Sequence, residues 1–154
     1  MEVRIGRARR RDIPRIMEIE LRSFPTPWSE WAFRRELKSK NAHLLVAKIG
    51  REVVGYLDIW IVLDEAHITN IAVAPEHRRK GIGEKLMRHA LEMAKSKGVR
   101  KVTLEVRQGN IPAQNLYRKF GFKLLGVRKE YYTDTGEDAL IMGITDLQSM
   151  EIER

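Results

Sequence analysis

The sequence Arg78-Arg79-Lys80-Gly81-Ile82-Gly83 says more about the fold than any other stretch of the chain. It follows an apolar run, residues 68–73, that predicts a strand, and it precedes residues 84–97, which predict a helix. Such a glycine-containing turn leaves backbone N–H groups without acceptors, and the helix dipole adds partial positive charge. The stretch predicts an anion site for phosphate or pyrophosphate, where a Cβ on either glycine would occupy the ligand's place. A tight turn carrying a solvated basic run is the alternative.

Two common phosphate-binding loops do not match this stretch. A Walker loop requires Lys and then Ser or Thr after its second glycine, whereas Gly83 is followed by Glu84 and Lys85. The dinucleotide-binding fingerprint requires a third glycine at the position that Leu86 occupies. Both loop types are therefore excluded.

The length and composition are typical of one globular domain. We expect a single domain over residues 1–154, in which residues 147–154 form a C-terminal tail. The absence of cysteine excludes disulfides and a thiol nucleophile. No run reaches the roughly 18 apolar residues of a membrane span, and the first residues lack the apolar stretch of a signal peptide. We therefore expect a cytoplasmic protein.

The charge of the chain points to anionic partners. Its 29 basic and 21 acidic residues give a net charge of +8, which suits phosphates, nucleic acid or something bound to nucleic acid. The tryptophans Trp28, Trp31 and Trp60 are not arranged in the sequence as one binding face. We therefore expect no direct contact with nucleic acid and no membrane partner.

Turn and capping residues divide the first half of the chain. Asp12 is a candidate N-cap for a helix, and two prolines in Phe24-Pro25-Thr26-Pro27-Trp28 end that helix. Ser29 is a candidate N-cap for a second helix. The predicted helices are residues 12–23 and 29–40, and the predicted strands are residues 3–8, 44–49, 53–63 and about 66–73.

The second half alternates strands and helices. Gly98 is the predicted C′ residue of the helix after the basic loop. Asn110 begins a short helix that Gly121 ends, and strands are predicted over residues 101–106, 122–127 and 140–145. The order β-α-α-β-β-β-α-β-α-β-β indicates a mixed sheet flanked by helices.

That order of elements, around the basic loop, resembles the GNAT acetyltransferases over residues 3 to about 147. The chain is most similar to the RimI-type N-terminal acetyltransferases, which acetylate the α-amine of ribosomal or other proteins. The resemblance implies a mixed α/β fold with a mostly antiparallel sheet of about seven strands and four helices. The segments that carry it are Phe24-Pro25-Thr26-Pro27-Trp28, Asn70-Ile71-Ala72-Val73, Leu104-Glu105-Val106-Arg107 with Asn110, and Tyr131-Tyr132 with Glu137-Asp138-Ala139.

The resemblance implies acetyl-CoA as the acetyl donor. Backbone groups of Ile71, Ala72 and Val73 would hydrogen-bond its pantetheine arm as an added strand would, and Asn110 would contact it from the last helix. The pyrophosphate would lie on the N–H groups of the basic loop, in agreement with the anion site argued above. The residues implied there are Arg78, Arg79, Lys80, Gly81, Ile82, Gly83 and Glu84.

The acceptor must be a neutral amine beside the thioester carbonyl. A terminal α-amine has a pKa of about 7.7–8.0, against about 10.4 for lysine, and therefore needs only a modest base. Glu105 lies on the opposite side of its strand from the apolar alternation. The resemblance implies that Glu105 is this base, directly or through a water; a solvated strand carboxylate is the alternative.

Tyr117 matches the acid of the family. Its phenol would protonate the departing CoA thiolate, so it would also contact the cofactor. Core packing beside Leu116 and Phe120 is the alternative, although a tyrosine can do both. The chain has neither a cysteine nor a serine in a G-x-S-x-G elbow, so we expect direct transfer in a ternary complex.

The resemblance also implies an acceptor groove. The Phe24–Pro25 loop and the Tyr131–Tyr132 loop would flank it, with Asn70 a further substrate-binding candidate and the tyrosine hydroxyls on the incoming backbone. Surface-loop roles are the alternative for both tyrosines. Gly109 departs from the small polar residue of many relatives, which affects the loop there.

No metal site is expected. The four histidines, His43, His67, His77 and His89, have no metal-ligand spacing and are interpreted as structural or surface residues.

Three functions remain open from the sequence. The first is acetylation of a protein N-terminus, possible acceptors including ribosomal proteins, by a monomer or weak homodimer. The second is a GNAT enzyme for lysine side chains or a small-molecule amine, which an acidic pocket would favour. The third is a basic nucleic-acid-binding module without catalysis, which the scattered tryptophans disfavour.

Overall fold

Seven strands form a single sheet in the computed structural model, which describes residues 2–152. Met1 and residues 153–154 of the predicted tail lie outside the described residues. The strands are β1 (Val3–Arg7), β2 (Ala42–Ile49), β3 (Glu52–Val62), β4 (Glu65–Val73), β5 (Lys101–Arg107), β6 (Lys123–Arg128) and β7 (Ala139–Ile144). Their order is β1-β2-β3-β4-β5-β7-β6, and every neighbouring pair is antiparallel except β4 and β5.

Helices cover both faces of the sheet. They are α1 (Ile13–Ser23), α2 (Glu30–Lys38), α3 (Ile82–Ser96) and α4 (Ile111–Lys119). The side chains of α3 and α4 join one buried cluster with one face of the sheet, whereas α1 and α2 cover the other face. The predicted fold class, a mixed and mostly antiparallel sheet with four helices, is confirmed. None of the helices within residues 2–152 is both long and apolar enough to cross a membrane.

The helix caps show where local sequence rules hold. Ser29 Oγ accepts a hydrogen bond from Ala32 N (3.1 Å), so the predicted N-cap of α2 is confirmed. Asp12 does occupy the N-cap position of α1, but its side chain makes no cap hydrogen bond to this helix, because a 3₁₀ turn over Arg10–Asp12 already gives the residue helical backbone angles. Its carboxylate instead accepts from Arg9 N (2.8 Å) and pairs with Lys48 Nζ (2.9 Å).

The segment expected to be a tail packs onto the domain as far as it is described. Leu147 is fully buried, and its N–H donates to the carbonyl of Arg100 (2.8 Å). The Gln148 amide donates to the carbonyl of Val99 (2.7 Å) at the end of α3. Residues 147–152 therefore cover the C-terminal end of that helix.

Strands β4 and β5 stay together only over their first halves. Their parallel pairing runs from Glu65↔Lys101 to Ile68↔Leu104. After these residues, no described strand pairs with the edge of β4 that faces β5 or with the edge of β5 that faces β4. The β3–β4 register shifts at the same level, since Asp58 opposes Asn70 while Ile59 opposes Ile68. Thr69 is therefore a bulge residue, and the sheet opens beside it.

We predict that Gly143→Ala destabilises the fold. A Cβ at this position in β7 would lie 2.8 Å from the carbonyl oxygen of Val102 and 2.6 Å from Leu125 Cδ1. The backbone oxygen cannot move without disturbing β5, so the overpacking is expected to cost about 1–3 kcal/mol. Chemical denaturation measures the loss.

Gly6→Ala in β1 is the matched control. Its added Cβ would meet nothing within 4 Å, so a gain of up to about 1 kcal/mol is expected from the stiffer unfolded chain. Equal stability of the two variants would contradict the packing argument.

Candidate active site

A cavity of about 610 Å³ lies where β4 and β5 diverge. It is walled by the loop after α1, the bulged part of β4, the end of β5, the start of α4 and the loop between β6 and β7. The structure thereby brings together many of the residues predicted from the sequence. Those that line the cavity are Phe24, Pro25, Asn70, Ile71, Glu105, Asn110, Tyr117, Tyr131 and Tyr132.

The other predicted cofactor residues lie outside this cavity. Ala72 and Val73 continue β4 away from it, and the basic loop follows at the N-terminus of α3. The helix begins at Ile82, slightly earlier than the predicted Glu84. The implied cofactor path therefore runs along the open edge of β4 to the first turn of α3.

The basic loop has the backbone geometry of an anion cradle. Arg79 and Gly81 both have left-handed angles, with φ of 65° and 76°. Gly81 is the N-cap of α3 and offers no side chain to the first-turn N–H groups of Ile82, Gly83 and Glu84. An α3 N-terminus with free N–H groups and positive dipole is suited to a pyrophosphate.

Two side chains at the ends of this stretch, Arg78 and Glu84, already have partners within the protein. Arg78 Nε donates to the carbonyl of Val73 (3.2 Å), which braces the end of β4. Glu84 pairs with Lys119 of α4 (2.9 Å). Arg79 and Lys80 are exposed and form no ion pair within residues 2–152, so they are the cations best placed for an anion.

The two glycines of the loop differ in what an added Cβ would contact. A Cβ at Gly81 would meet no atom of the described chain within 4 Å, which fits a place kept open for a ligand. A Cβ at Gly83 would point toward Leu116 Cδ2, at an ordinary 3.5 Å. The expectation that both positions adjoin the phosphate is therefore revised, because Gly83 faces α4.

Glu105 lies beside a histidine that the sequence analysis did not connect with it. His67 Nε2 is 3.2 Å from Glu105 Oε1, and His67 Nδ1 is 2.9 Å from Thr103 Oγ1. The parallel register places His67 opposite Thr103, and residues of one strand two positions apart share a face. With its proton on Nε2, His67 donates to Glu105 and accepts from Thr103. His67 was interpreted as structural or surface, because the β4–β5 register is not visible in the sequence.

Tyr117 reaches the cavity from α4. Its ring packs against Phe122 with centroids 5.8 Å apart, so the core-packing interpretation holds, and its place in the cavity lining leaves the role as acid a prediction. Burial, and to a smaller extent the charge of Tyr132, raise the pKa of Tyr117 above its ordinary value. The phenol is therefore protonated at neutral pH and can act as a donor.

Arg107 organises the loop that carries the two tyrosines. Its guanidinium pairs with Asp134 (3.0 Å) and Glu137 (3.4 Å) and lies 4.0 Å from the ring centroid of Tyr132. These contacts pair both acidic side chains on this wall with Arg107, whose single positive charge balances one of their two negative charges. The guanidinium beside Asp134 also holds the pKa of that carboxyl below its usual range.

The same loop explains the glycine at position 109. Gly109 N donates to Glu137 Oε2 (3.1 Å), and a Cβ there would lie 2.9 Å from that oxygen. Any side chain at this position would have to displace the carboxylate. The Glu137 carboxylate therefore fills the space that a side chain at position 109 would need.

A buried carboxyl, Glu20 of α1, also lines the cavity. It accepts hydrogen bonds from Trp28 N (2.8 Å), Asn70 Nδ2 (3.0 Å) and the Tyr56 hydroxyl. It thereby joins the loop after α1 to β3 and β4. Burial raises the pKa of Glu20, against the lowering effect of these donors. The sequence analysis missed this residue, because one glutamate in an amphipathic helix carries no signal of its own.

One surface cluster has the composition of a metal site. Glu52, Glu76 and His77 offer ligand atoms within 4.8 Å of one another, away from the cavity. Arg15 pairs with Glu76 (2.8 Å) and Glu52 (3.4 Å) and supplies the compensating charge. The hydrogen bond from Arg15 lowers the pKa of Glu76 to about 2. This cluster is an ion-pair network of the surface.

Comparison with known proteins adds to this geometry. The model of the Acetyltransferase (GNAT) family matches residues 13–122. The chain belongs to this family. The open edge of β4, the turn before α3 and the cavity lined by Glu105 and Tyr117 are thus features of a GNAT-family chain.

Relatives cover most of the chain. A Bacillus subtilis (strain 168) protein, provisionally named [ribosomal protein bS18]-alanine N-acetyltransferase, is 51% identical over 135 residues, which cover 87% of this chain and 89% of that protein. The N-alpha-acetyltransferase RimI of Mycobacterium tuberculosis (strain ATCC 25618 / H37Rv) is 39% identical over 146 residues, or 91% of this chain and 90% of the relative. The crystal structure of the ribosomal-protein-S18-alanine N-acetyltransferase from Escherichia coli superposes with a TM-score of 0.88 and 33% identity, covering 99% of this chain and 98% of that one.

We predict that acetyl-CoA raises the thermal stability of the protein and that Gly81→Val removes most of the rise. By mass action, a ligand at about 100 times its Kd stabilises by about 2.7 kcal/mol. The valine would fill the space in front of the α3 N-terminus. Thermal unfolding with and without acetyl-CoA measures the shift.

Gly50→Val is the matched control for this substitution. Gly50 also has a positive φ, of 62°, and open space around it, but it lies in the β2–β3 turn. Both variants start from a strained backbone, and only the control should keep the full ligand-induced shift. An unchanged shift in Gly81→Val would overturn the assignment of the cradle.

Proposed function

We propose that this protein transfers the acetyl group of acetyl-CoA directly to the N-terminal α-amine of a protein. The observation that carries the proposal is the convergence of Glu105 and Tyr117 on one cavity between the Phe24–Pro25 loop and the Tyr131–Tyr132 loop. The proposed base and the proposed acid then line the same cavity, and this cavity is open to the N-terminal end of a peptide. The names of the relatives support the same acceptor class.

In the proposed reaction, Glu105 takes the proton of the incoming amine. Transfer through an ordered water is compatible with its position, as is direct transfer. His67 contacts the carboxylate and connects it with the partly exposed surface of β4. We propose His67 as a positioning residue that holds one oxygen of Glu105, so that the other faces the cavity.

On the donor side, acetyl-CoA supplies an activated thioester and a thiol leaving group. The open edge of β4 at Ile71 to Val73 would hold the pantetheine arm, and the first turn of α3 would hold the pyrophosphate. Tyr117 would give its proton to the departing thiolate. The buried and protonated phenol is suited to this step.

The acceptor side favours a peptide end over a polyamine. The acidic residues on this wall, Asp134 and Glu137, are both paired with Arg107 instead of facing the cavity without a partner. Tyr131 and Tyr132 instead present phenol hydroxyls, which suit a peptide backbone. Lysine side chains or a small-molecule amine are the second candidate class, which unpaired acidic side chains on this wall would favour.

The names of the relatives also indicate a class of acceptor protein. Two of the relatives described above are named as alanine N-acetyltransferases of ribosomal protein S18. We propose a ribosomal-protein N-terminus as the acceptor and the cytoplasm as the place of action. The expected monomer or weak homodimer stays a prediction.

We predict that Glu105→Gln lowers kcat by about 10²–10⁴ near neutral pH, the usual range for a positioned base. The deficit should shrink as the pH rises past about 8, because the α-amine then arrives neutral. Initial rates with a peptide acceptor from about pH 6.5 to 9.5 measure this dependence.

His67→Gln is the companion variant to Glu105→Gln, because it keeps a hydrogen-bonding group beside an intact base. Its deficit should be smaller than that of Glu105→Gln at every pH. A Glu105→Gln deficit that is constant over the whole range would mean that Glu105 positions the substrate without taking its proton.

We predict that activity depends on the first two residues of a peptide and vanishes when its N-terminus is blocked, even with free lysines. Tyr132→Phe should raise KM more than it lowers kcat, since a hydrogen bond to bound backbone stabilises ground state and transition state alike. One such bond contributes about 0.5–1.5 kcal/mol, or roughly a three- to tenfold change. Mass spectrometry of peptide panels measures the products. Equal acetylation of a blocked, lysine-containing peptide would leave the lysine alternative standing.

A further inference from the structure

A second buried carboxyl, Asp58 of β3, lies behind the bulge of β4. It is fully buried, and its Oδ2 accepts a hydrogen bond from Thr69 Oγ1 (2.8 Å). Thr69 is the bulge residue and lines the cavity. Asp58 therefore contacts a residue in the wall of the cavity, which is the proposed acceptor pocket, but Asp58 does not line the cavity itself.

The other oxygen of Asp58 lacks an ordinary donor. Its Oδ1 is buried with no hydrogen-bond partner among the described residues. Glu36 of α2 is the titratable group that faces Asp58, with its carboxyl close enough for a hydrogen bond if one of the two acids is protonated. Glu36 itself accepts from Trp60 Nε1 (2.6 Å). Two carboxyls can hydrogen-bond each other only if one of them carries a proton, because a carboxylate has no donor.

We propose that Asp58 is a positioning residue that shares one proton with Glu36 and thereby fixes Thr69 in the wall of the acceptor pocket. The shared proton gives the buried oxygen its partner and leaves a single negative charge in this contact. Loss of the proton would place two carboxylates against each other in a dry environment. That repulsion would separate α2 from β3 and withdraw the acceptor for the Thr69 hydroxyl.

The electrostatics of the site agree with this geometry. Burial, with the hydrogen bond to Glu36 next in size, raises the pKa of Asp58 to about 9. Because the folded pKa exceeds the unfolded one, the proton contributes stability that is fully present below the unfolded pKa of about 4. That stability is lost as the pH rises through the folded pKa.

The proposal rests on the proposed function only where it concerns acceptor binding. Asp58→Asn mimics the protonated acid, since its Oδ1 can accept from Thr69 while its Nδ2 donates to Glu36. Its KM for a peptide acceptor should equal the wild-type value near pH 7. Above about pH 9 the wild-type KM should rise relative to that of the variant.

Two further substitutions test the hydrogen bond between Asp58 and Thr69, and a third is a control. Asp58→Leu and Thr69→Val each remove the Asp58–Thr69 hydrogen bond while keeping similar volume, and each should raise the acceptor KM by about three- to tenfold. Asp64→Asn makes the same chemical change at an exposed carboxyl and should show the wild-type KM at all pH values. A raised KM in Asp58→Asn at neutral pH, or a ratio to wild type that never changes with pH, would overturn the proposal.

A structural readout separates this proposal from the proposed function. At neutral pH the wild-type protein should show the infrared band of a protonated carboxylic acid, and Asp58→Asn should lack it. The difference in Tm between Asp58→Asn and wild type should also widen from about pH 5 to pH 9, whereas that for Asp64→Asn should stay flat. If no peptide is acetylated but the band is present, the acceptor assignment fails and the shared proton stands. If the band is absent, the shared proton is disproved whatever the activity.

Discussion

The divergence of β4 from β5 is the constraint on which the rest of the site depends. In a continuous sheet the backbone layer separates side chains on opposite faces. Glu105 lies on the face covered by α1 and α2, because Leu104 and Val106 on either side of it belong to the α3–α4 cluster. Tyr117 comes from α4 on the other face. Only the gap between the strands lets these two groups line one cavity.

The same gap exposes strand edges that a sheet would normally pair. An unpaired edge is a liability in most proteins, because it can pair with another chain. Here the edge of β4 lies within the molecule, next to the cradle at α3, and an extended ligand can complete it. The parallel pair supplies this arrangement, since α3 leads from the end of β4 back to the start of β5 and its N-terminus therefore lies at the open end.

The sequence predicts the elements better than it predicts their contacts. Ser29 and the basic loop are local signals, since a cap or a turn depends on a few neighbouring residues. The predicted cap and the predicted turn between strand and helix are both observed. Asp12 shows the limit even of local rules, because the preceding turn changes its backbone angles. The contact between His67 and Glu105 depends on the register of two strands separated by α3, and no local pattern encodes a parallel register. Asp58 is hidden for a further reason: an acidic residue inside an apolar strand predicts exposure until a partner from α2 is known.

Buried carboxyls account for the shape of the acceptor side. The bulge turns Thr69 and Asn70 toward the same face of the sheet, and each side chain hydrogen-bonds a buried acid, Asp58 and Glu20. Burying a carboxyl without partners is costly, so such groups persist where several donors converge on them or where a proton is retained. Glu20 has three donors, whereas Asp58 has Thr69 alone and needs the proton that it shares with Glu36. A bulge is an irregular feature that a strand can lose by slipping one residue, and two buried acids bonded to its two half-buried residues oppose that slip. Hydrogen bonds to these acids therefore fix Thr69 and Asn70 in the wall of the cavity that both residues line.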